Sequence, residues 1–109
     1  MRFQSKITLA VIAITLLATG SALAIVRHRV DQSGLRFSET ALRLHRGDTI
    51  AFTNSDRSSH NILVRGGAMN FNGGLQRPGE ILEVPFTANG RYQVMCGIHP
   101  RMRLDVEVE

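Results

Sequence analysis

From residue 25 onward no stretch of this chain keeps a helical period. Apolar and polar residues alternate instead, in short runs cut by turn residues at roughly ten-residue intervals. Leu42 and Leu44 alternate with Arg43 and His45, Arg46, Gly47 and Asp48 turn the chain, and Ile50 and Phe52 resume the alternation. A period of two sends successive side chains to opposite faces, so each run can bury one face and wet the other. Residues 60–64 form a β-rich run. Residues 80–86 alternate about Ile81, with Glu80 and Glu83 toward solvent and Pro85 marking an edge or a strand end. Tyr92, Val94 and Cys96 share one face of residues 91–96, residues 104–109 alternate to the last position, and residues 26–32 form a weaker first strand. Residues 65–74 carry too many glycines for a strand and read as a loop. Six to eight short strands with regular turn signals predict an all-β fold, an antiparallel sandwich or barrel whose apolar faces meet in one core.

The first residues obey a different logic. Arg2 and Lys6 precede an apolar run over residues 7–20, and Ala22 and Ala24 make a small-residue cleavage site. That order is a secretory signal peptide, residues 1–24, and its removal leaves residues 25–109 as a single domain. The alternative is an uncleaved anchor, because residues 7–26 approach the ~20 apolar residues of a membrane helix. Thr15, Thr19, Gly20 and Ser21 weaken the centre of such a helix. Without Arg2 and Lys6 the formal charge falls from +4 to about +2. With the arginines scattered singly rather than in a stripe, this balance argues against a nucleic-acid partner.

A domain of this size is marginal without a staple. An internal disulfide is excluded, since Cys96 is the only cysteine. A lone cysteine in an oxidising compartment is a dimer bridge, a reactive thiol or a metal ligand, and a metal would add its binding free energy to folding. Cys96, His99 and Met102 follow one another at intervals of three, between one predicted strand and the last. Thiolate and imidazole suit copper and zinc, and a thioether selects copper. A fourth donor must come from elsewhere, and His60, opening a strand after the polar turn 55–59, is the best candidate. His28 and His45 lie on charged faces beside arginines, and Met95 points away from the Cys96 face. Met69, in the glycine-rich segment, is the alternative axial donor. Two histidines, a cysteine and a weak axial methionine are the blue-copper donor set. The plainer reading of the same residues is a buried free thiol, a methionine filling the core and a histidine at a strand end.

The segments GDTIAFTNSDRSSHNILV, PGE and NGRYQVMCGIHPRM occur in that order. Through them the chain from about Phe37 to Val108 resembles the cupredoxins, and its Cys-x-x-His-x-x-Met loop is most similar to the amicyanin and plastocyanin-like branch. The resemblance implies a Greek-key β-sandwich with one type 1 copper ion held by His60, Cys96, His99 and Met102. It implies that Asn61 ties the two ligand loops together. Because Gly97 stands where the family usually has Ser or Thr, Asn61 is expected to reach backbone only. The implied function is that of a periplasmic one-electron carrier, not an enzyme: a monomer, free of the membrane once cleaved. It would meet a dehydrogenase, cytochrome or oxidase as a transient redox partner, with His99 as the electron port. A copper carrier or resistance protein that delivers the ion is the second reading. Copper oxidases and nitrite reductases need clustered histidines, and this chain has no His-x-His.

Overall fold

The computed structural model describes residues 24–109; the signal or anchor expected at the N-terminus lies outside them. Eight strands follow one another: β1 Arg27–Gln32, β2 Ala41–Leu44, β3 Thr49–Asn54, β4 Ile62–Gly66, β5 Met69–Asn72, β6 Ile81–Pro85, β7 Gly90–Cys96 and β8 Arg103–Val108. They form a three-stranded sheet ordered β1-β3-β6 and a five-stranded sheet ordered β2-β8-β7-β4-β5. The expected all-β sandwich is what the chain forms.

Three local expectations are corrected. The sheets are mixed rather than wholly antiparallel, with β1 parallel to β3 and β2 parallel to β8. The strand between β1 and β3 in sequence, β2, belongs to the other sheet. The chain therefore crosses over before it returns, and a strand that returns by crossover lies parallel to its neighbour. Residues 65–74 are not a loop throughout. Gly66 and Gly67 take positive φ, 129° and 47°, and turn the chain so that β5 pairs back on β4, with Met69 opposite Gly66 and Asn72 opposite Leu63. The glycines mark a hairpin turn, where positive φ is required. A side chain at Gly66 would also collide with the Arg91 carbonyl. In β6, Ile81 faces solvent, 59% exposed, while Val84 is buried. Pro85 does sit on an edge strand, as β6 pairs only with β3.

The core is the space between the two sheets. Val30, Ile50, Phe52 and Val84 face inward from the smaller sheet, and Ile62, Val64, Val94, Leu104 and Val106 from the larger. Burial of a Val, Leu, Ile or Phe side chain contributes about 1.5–3 kcal/mol, so these facing rows are the main source of stability. The registers also define two ends. Gln32 lies opposite Asn54, Thr53 opposite Ile81, Ile62 opposite Cys96 and Met95 opposite Arg103. These residues form one end of the sandwich; Arg27, Thr49, Pro85, Gly90 and Val108 mark the other.

That other end is closed by a buried carboxylate. Asp48 accepts the Val26 amide at 3.0 Å and the His45 amide at 2.9 Å, and lies 3.2 Å from His28 Nε2. The Val26 amide first, and then the His45 amide and the His28 ring, outweigh burial and hold the Asp48 carboxyl below the ordinary carboxylate value. A carboxyl that ionises at lower pH in the folded chain stabilises the fold while charged. Its contribution is complete above the unfolded value, about 3.9, and fades as pH falls through the lower folded value. Asp48→Ala leaves two amides without their acceptor, and a loss on the order of 1–3 kcal/mol is expected in denaturant unfolding of the metal-free protein. The same variant should lose less stability than the parent between about pH 4 and pH 2.

Candidate metal centre

His60 sits just before β4, in an isolated bridge to Gln76. The two residues exchange backbone hydrogen bonds, His60 N to Gln76 O at 2.9 Å and Gln76 N to His60 O at 2.7 Å. His60 is fully buried. The loop before it is shaped by Asn54, whose side chain accepts the Asp56 amide at 2.9 Å and donates to Ser58 O at 3.0 Å. This geometry aims Asp56 back at the histidine, with Oδ2 2.8 Å from His60 Nε2. The Gly34 and Leu35 amides donate to the same carboxylate at 2.6 and 3.1 Å. Burial pushes the Asp56 carboxyl up, but His60 and the Leu35 and Gly34 amides together more than offset it and hold the group below the ordinary carboxylate value. An ionised carboxylate only accepts, so His60 Nε2 is the donor to Asp56, and Nδ1 is the nitrogen turned toward Cys96 and His99.

Cys96 ends β7 and is buried. Its Sγ accepts the Asn61 amide at 3.3 Å, and the Gly97 amide donates to Asn61 O at 2.8 Å. These two bonds join the start of β4 to the turn after β7. The turn itself is tight: the Met102 amide donates to His99 O at 3.0 Å. It presents the half-buried His99 ring to His60, with centroids 5.1 Å apart and planes inclined by 66°.

The three donor atoms converge. Cys96 Sγ lies 3.6 Å from His60 Nδ1 and 3.7 Å from His99 Nδ1, and the two nitrogens are 3.3 Å apart. A metal bonded at about 2.0–2.1 Å to nitrogen and about 2.3 Å to sulfur, in trigonal to tetrahedral geometry, needs its donors about 3.3–3.8 Å apart. The triangle fits. Soft thiolate with two imidazoles suits copper, and the carboxylate behind His60 is the outer partner that fixes the tautomer of a metal-bound histidine.

Each sequence expectation can be placed. His60, Cys96 and His99 come together from three different positions along the chain. Met102 lies in the same buried cluster as Cys96. Met69 is removed as a donor, since it stands opposite Gly66 and toward the other end of the sandwich. The His28 ring is engaged at Asp48, and His45, whose backbone amide donates to the same carboxylate, lies at that far end too. Asn61 departs from expectation: its side-chain amide donates to the Asn72 side chain and to Gly74 O, both at 2.9 Å, so it reaches more than backbone. It ties β4 to β5 and the loop beyond, and its backbone serves the cysteine loop. Gly97 has a steric reason, because a Cβ there would run into Asn61 Oδ1. Sequence reasoning missed Asp56, although a carboxylate four residues before a candidate ligand was a readable signal. It also missed Gln76, for which no local signal exists.

The comparisons with known proteins agree with this geometry. The family model for copper binding proteins of the plastocyanin/azurin family matches residues 24–109. The chain is 35% identical over 85 residues to the methylamine utilization protein MauL of Methylophilus methylotrophus, covering 74% of this chain and 48% of that one. It is 28% identical over 78 residues to amicyanin-alpha of Methylorubrum extorquens, covering 69% of this chain and 66% of that one. The chain thus spans about half to two thirds of these relatives' length. Among solved structures, a reduced Cu(I) form of an amicyanin variant at pH 4 superposes with a TM-score of 0.70 at 26% identity, over 81% of this chain and 87% of that chain. A copper-containing nitrite reductase from Thermus scotoductus SA-01 superposes with a TM-score of 0.71 at 28% identity, over 85% of this chain but 25% of that chain.

Asp56→Ala should weaken Cu(II) binding by about 10–100-fold in a competition titration, since the outer partner of a ligating histidine is lost. It should also expose the Gly34–Leu35 turn to proteolysis, because that turn loses its acceptor. Unchanged affinity would show that the carboxylate does not orient His60.

Proposed function

We propose that this chain, which belongs to the plastocyanin/azurin family of copper-binding proteins, is a periplasmic one-electron carrier with a single type 1 copper. The convergence of His60 Nδ1, Cys96 Sγ and His99 Nδ1 supports the reading most directly. In this reading Met102 would be the fourth and weaker donor, beside His60, Cys96 and His99. Copper, when bound, takes up and releases one electron between its two oxidation states.

The residues of the chain do the rest. His60 is buried and held from behind by Asp56, and its backbone is paired to Gln76, so it cannot follow a change in the metal's charge. Cys96 is fixed by β7 and by the Asn61 amide at its sulfur. A hydrogen bond to the thiolate draws off electron density and favours the lower oxidation state. A site held to one geometry needs little rearrangement when the electron arrives. His99 is half-buried on the turn, between exposed Gly97, Ile98 and Pro100, and forms the route to the surface. Such a small apolar surface suits a brief encounter with a redox partner, a dehydrogenase, cytochrome or oxidase. The chain would act as a monomer, with residues 1–24 as its export signal and residues 25–109 as the copper domain.

Burial of the donors favours electron transfer over ion delivery, which needs donors that an incoming partner can reach. The nitrite reductase likeness spans a quarter of that enzyme, and His28 and His45 here lie apart from the donor triangle, at the far end of the sandwich. The test is optical and electrochemical. Copper-loaded protein should show an intense band near about 600 nm and a reversible one-electron wave, with no turnover of oxygen or nitrite. Copper bound without that band would sink the assignment. Cys96→Ser should abolish the band, since a hydroxyl is a hard and weakly acidic donor. Met102→Leu should keep the band and raise the potential, because loss of a donor favours Cu(I).

A further inference from the structure

We propose that the end of the sandwich carrying His60, Cys96 and His99 docks on an acidic protein surface, selected by a rim of five arginines around an apolar centre. The proposal rests on the electron-carrier reading and adds to it the charge of the partner.

The apolar centre is built by loops that the metal centre itself holds in place. The Leu35 amide is bound by the Asp56 carboxylate that also holds His60. Leu75 precedes Gln76, whose backbone pairs with His60. Ile98 and Pro100 flank His99 in sequence. Leu35 is 48% exposed, Leu75 57% and Ile98 49%. Single exposed apolar side chains are ordinary, but several on loops gathered at one end form a patch.

Each of these loops also carries an arginine. Arg36 follows Leu35, Arg77 follows Gln76, Arg101 follows Pro100, Arg57 lies in the loop leading to His60, and Arg103 opens β8; all five are exposed. None of the five forms an ion pair among the described residues. The paired arginines lie elsewhere: Arg27 is 3.1 Å from Glu83, and Glu107 lies 3.7 Å from Arg43 and 4.0 Å from Arg91. The carboxylates at the metal end keep their charge, but none of them forms an ion pair with a rim arginine. Asp56 holds His60 and two amides, and Glu80 accepts the Arg77 amide at 2.8 Å. Beside them, Asp31 accepts the Thr53 and Ser55 hydroxyls. Five arginines against the carboxylates of Asp31, Glu39, Asp56 and Glu80 leave the rim a net positive charge that no ion pair ties down, although residues 25–109 as a whole carry only a small excess. The apolar centre needs an apolar counterpart, which a protein face supplies, and the rim needs carboxylates around that counterpart. Charge complementarity of this kind steers encounter and suppresses wrong partners.

The probe is gold coated with a mixed methyl- and carboxylate-terminated monolayer, compared with a mixed methyl- and ammonium-terminated one. Copper-loaded protein at about 0.01 M salt should give a reversible wave on the carboxylate surface about tenfold larger than on the ammonium surface. The preference should fade by about 0.15 M salt, where the Debye length is short. Arg57→Gln combined with Arg101→Gln should reduce the wave on carboxylate about tenfold. Arg43→Gln combined with Arg91→Gln, the same charge change at the other end, should leave it intact. If the first pair disturbs the visible band, Arg36→Gln with Arg77→Gln takes its place. Equal waves on the two monolayers, or equal behaviour of the two double variants, would overturn the proposal. Exchange with hexacyanoferrate(III) in solution without any surface preference would overturn the docking proposal alone. No wave on either surface and no exchange with hexacyanoferrate(III) would overturn the electron-carrier reading, and the docking proposal with it.

Discussion

The pairing of β4 with β7 sets everything at the metal end. Ile62 lies opposite Cys96, and this register brings the cysteine beside the residues that precede β4. Because side chains alternate across a strand, a slip of one residue would turn Cys96 to the outer face and bring Met95 inward. The register is held by apolar pairs, Val64 with Val94 and Val94 with Leu104, which are buried between the sheets. The hydrogen bonds from Asn61 N to Cys96 Sγ and from Gly97 N to Asn61 O then lock the last step, beyond the ladder itself.

Behind the donors lies a polar layer that a sandwich core of this size would not be expected to keep. Gln32, Asn54 and Gln76 are all buried. Gln32 Nε2 donates to Gln76 Oε1 at 2.7 Å, and Gln76 Nε2 donates to Phe52 O and Glu80 O at 2.9 and 2.8 Å. A buried amide is costly unless hydrogen-bonded, and the directional partners it then requires leave it little freedom to move. Gln76 thereby joins the smaller sheet to the backbone of His60, on the larger sheet's side. Orientation of the histidine is thus borrowed from both sheets, with Asp56 holding the ring and Gln76 holding the main chain.

The molecule is two-ended in function as well as in shape. At one end Asp48 gathers the His28 ring and the Val26 and His45 amides into a closure that stabilises the fold. At the other, histidines face inward to a thiol, and the loops around them carry exposed apolar and basic side chains. Each end sets an aspartate against a histidine ring, and one difference lies in what else the carboxylate faces. Asp48 spends its acceptors on amides and a surface ring, whereas Asp56 divides them between a turn and a metal-donor histidine.

By itself, the sequence determined what is local. The period of two in residues 41–54 and 91–96 specified strands and their buried faces, because side-chain direction along a strand follows from the backbone alone. The spacing of Cys96, His99 and Met102 placed donors on one tight turn, and the isolation of His28 and His45 among arginines marked them as other than ligands. Tertiary structure decided whatever depends on residues far apart in the chain. The parallel pairing of β1 with β3 and of β2 with β8 came from crossover between sheets, and β5 came from pairing that a glycine-rich stretch does not announce. Met69 was ruled out as a donor, and Gln76 was brought to His60, by registers that no local period encodes. The arginines, scattered singly along the chain, became a rim only when four loops met at one end. Local backbone preference and side-chain alternation act within a few residues, whereas burial and charge act between whatever the fold makes neighbours.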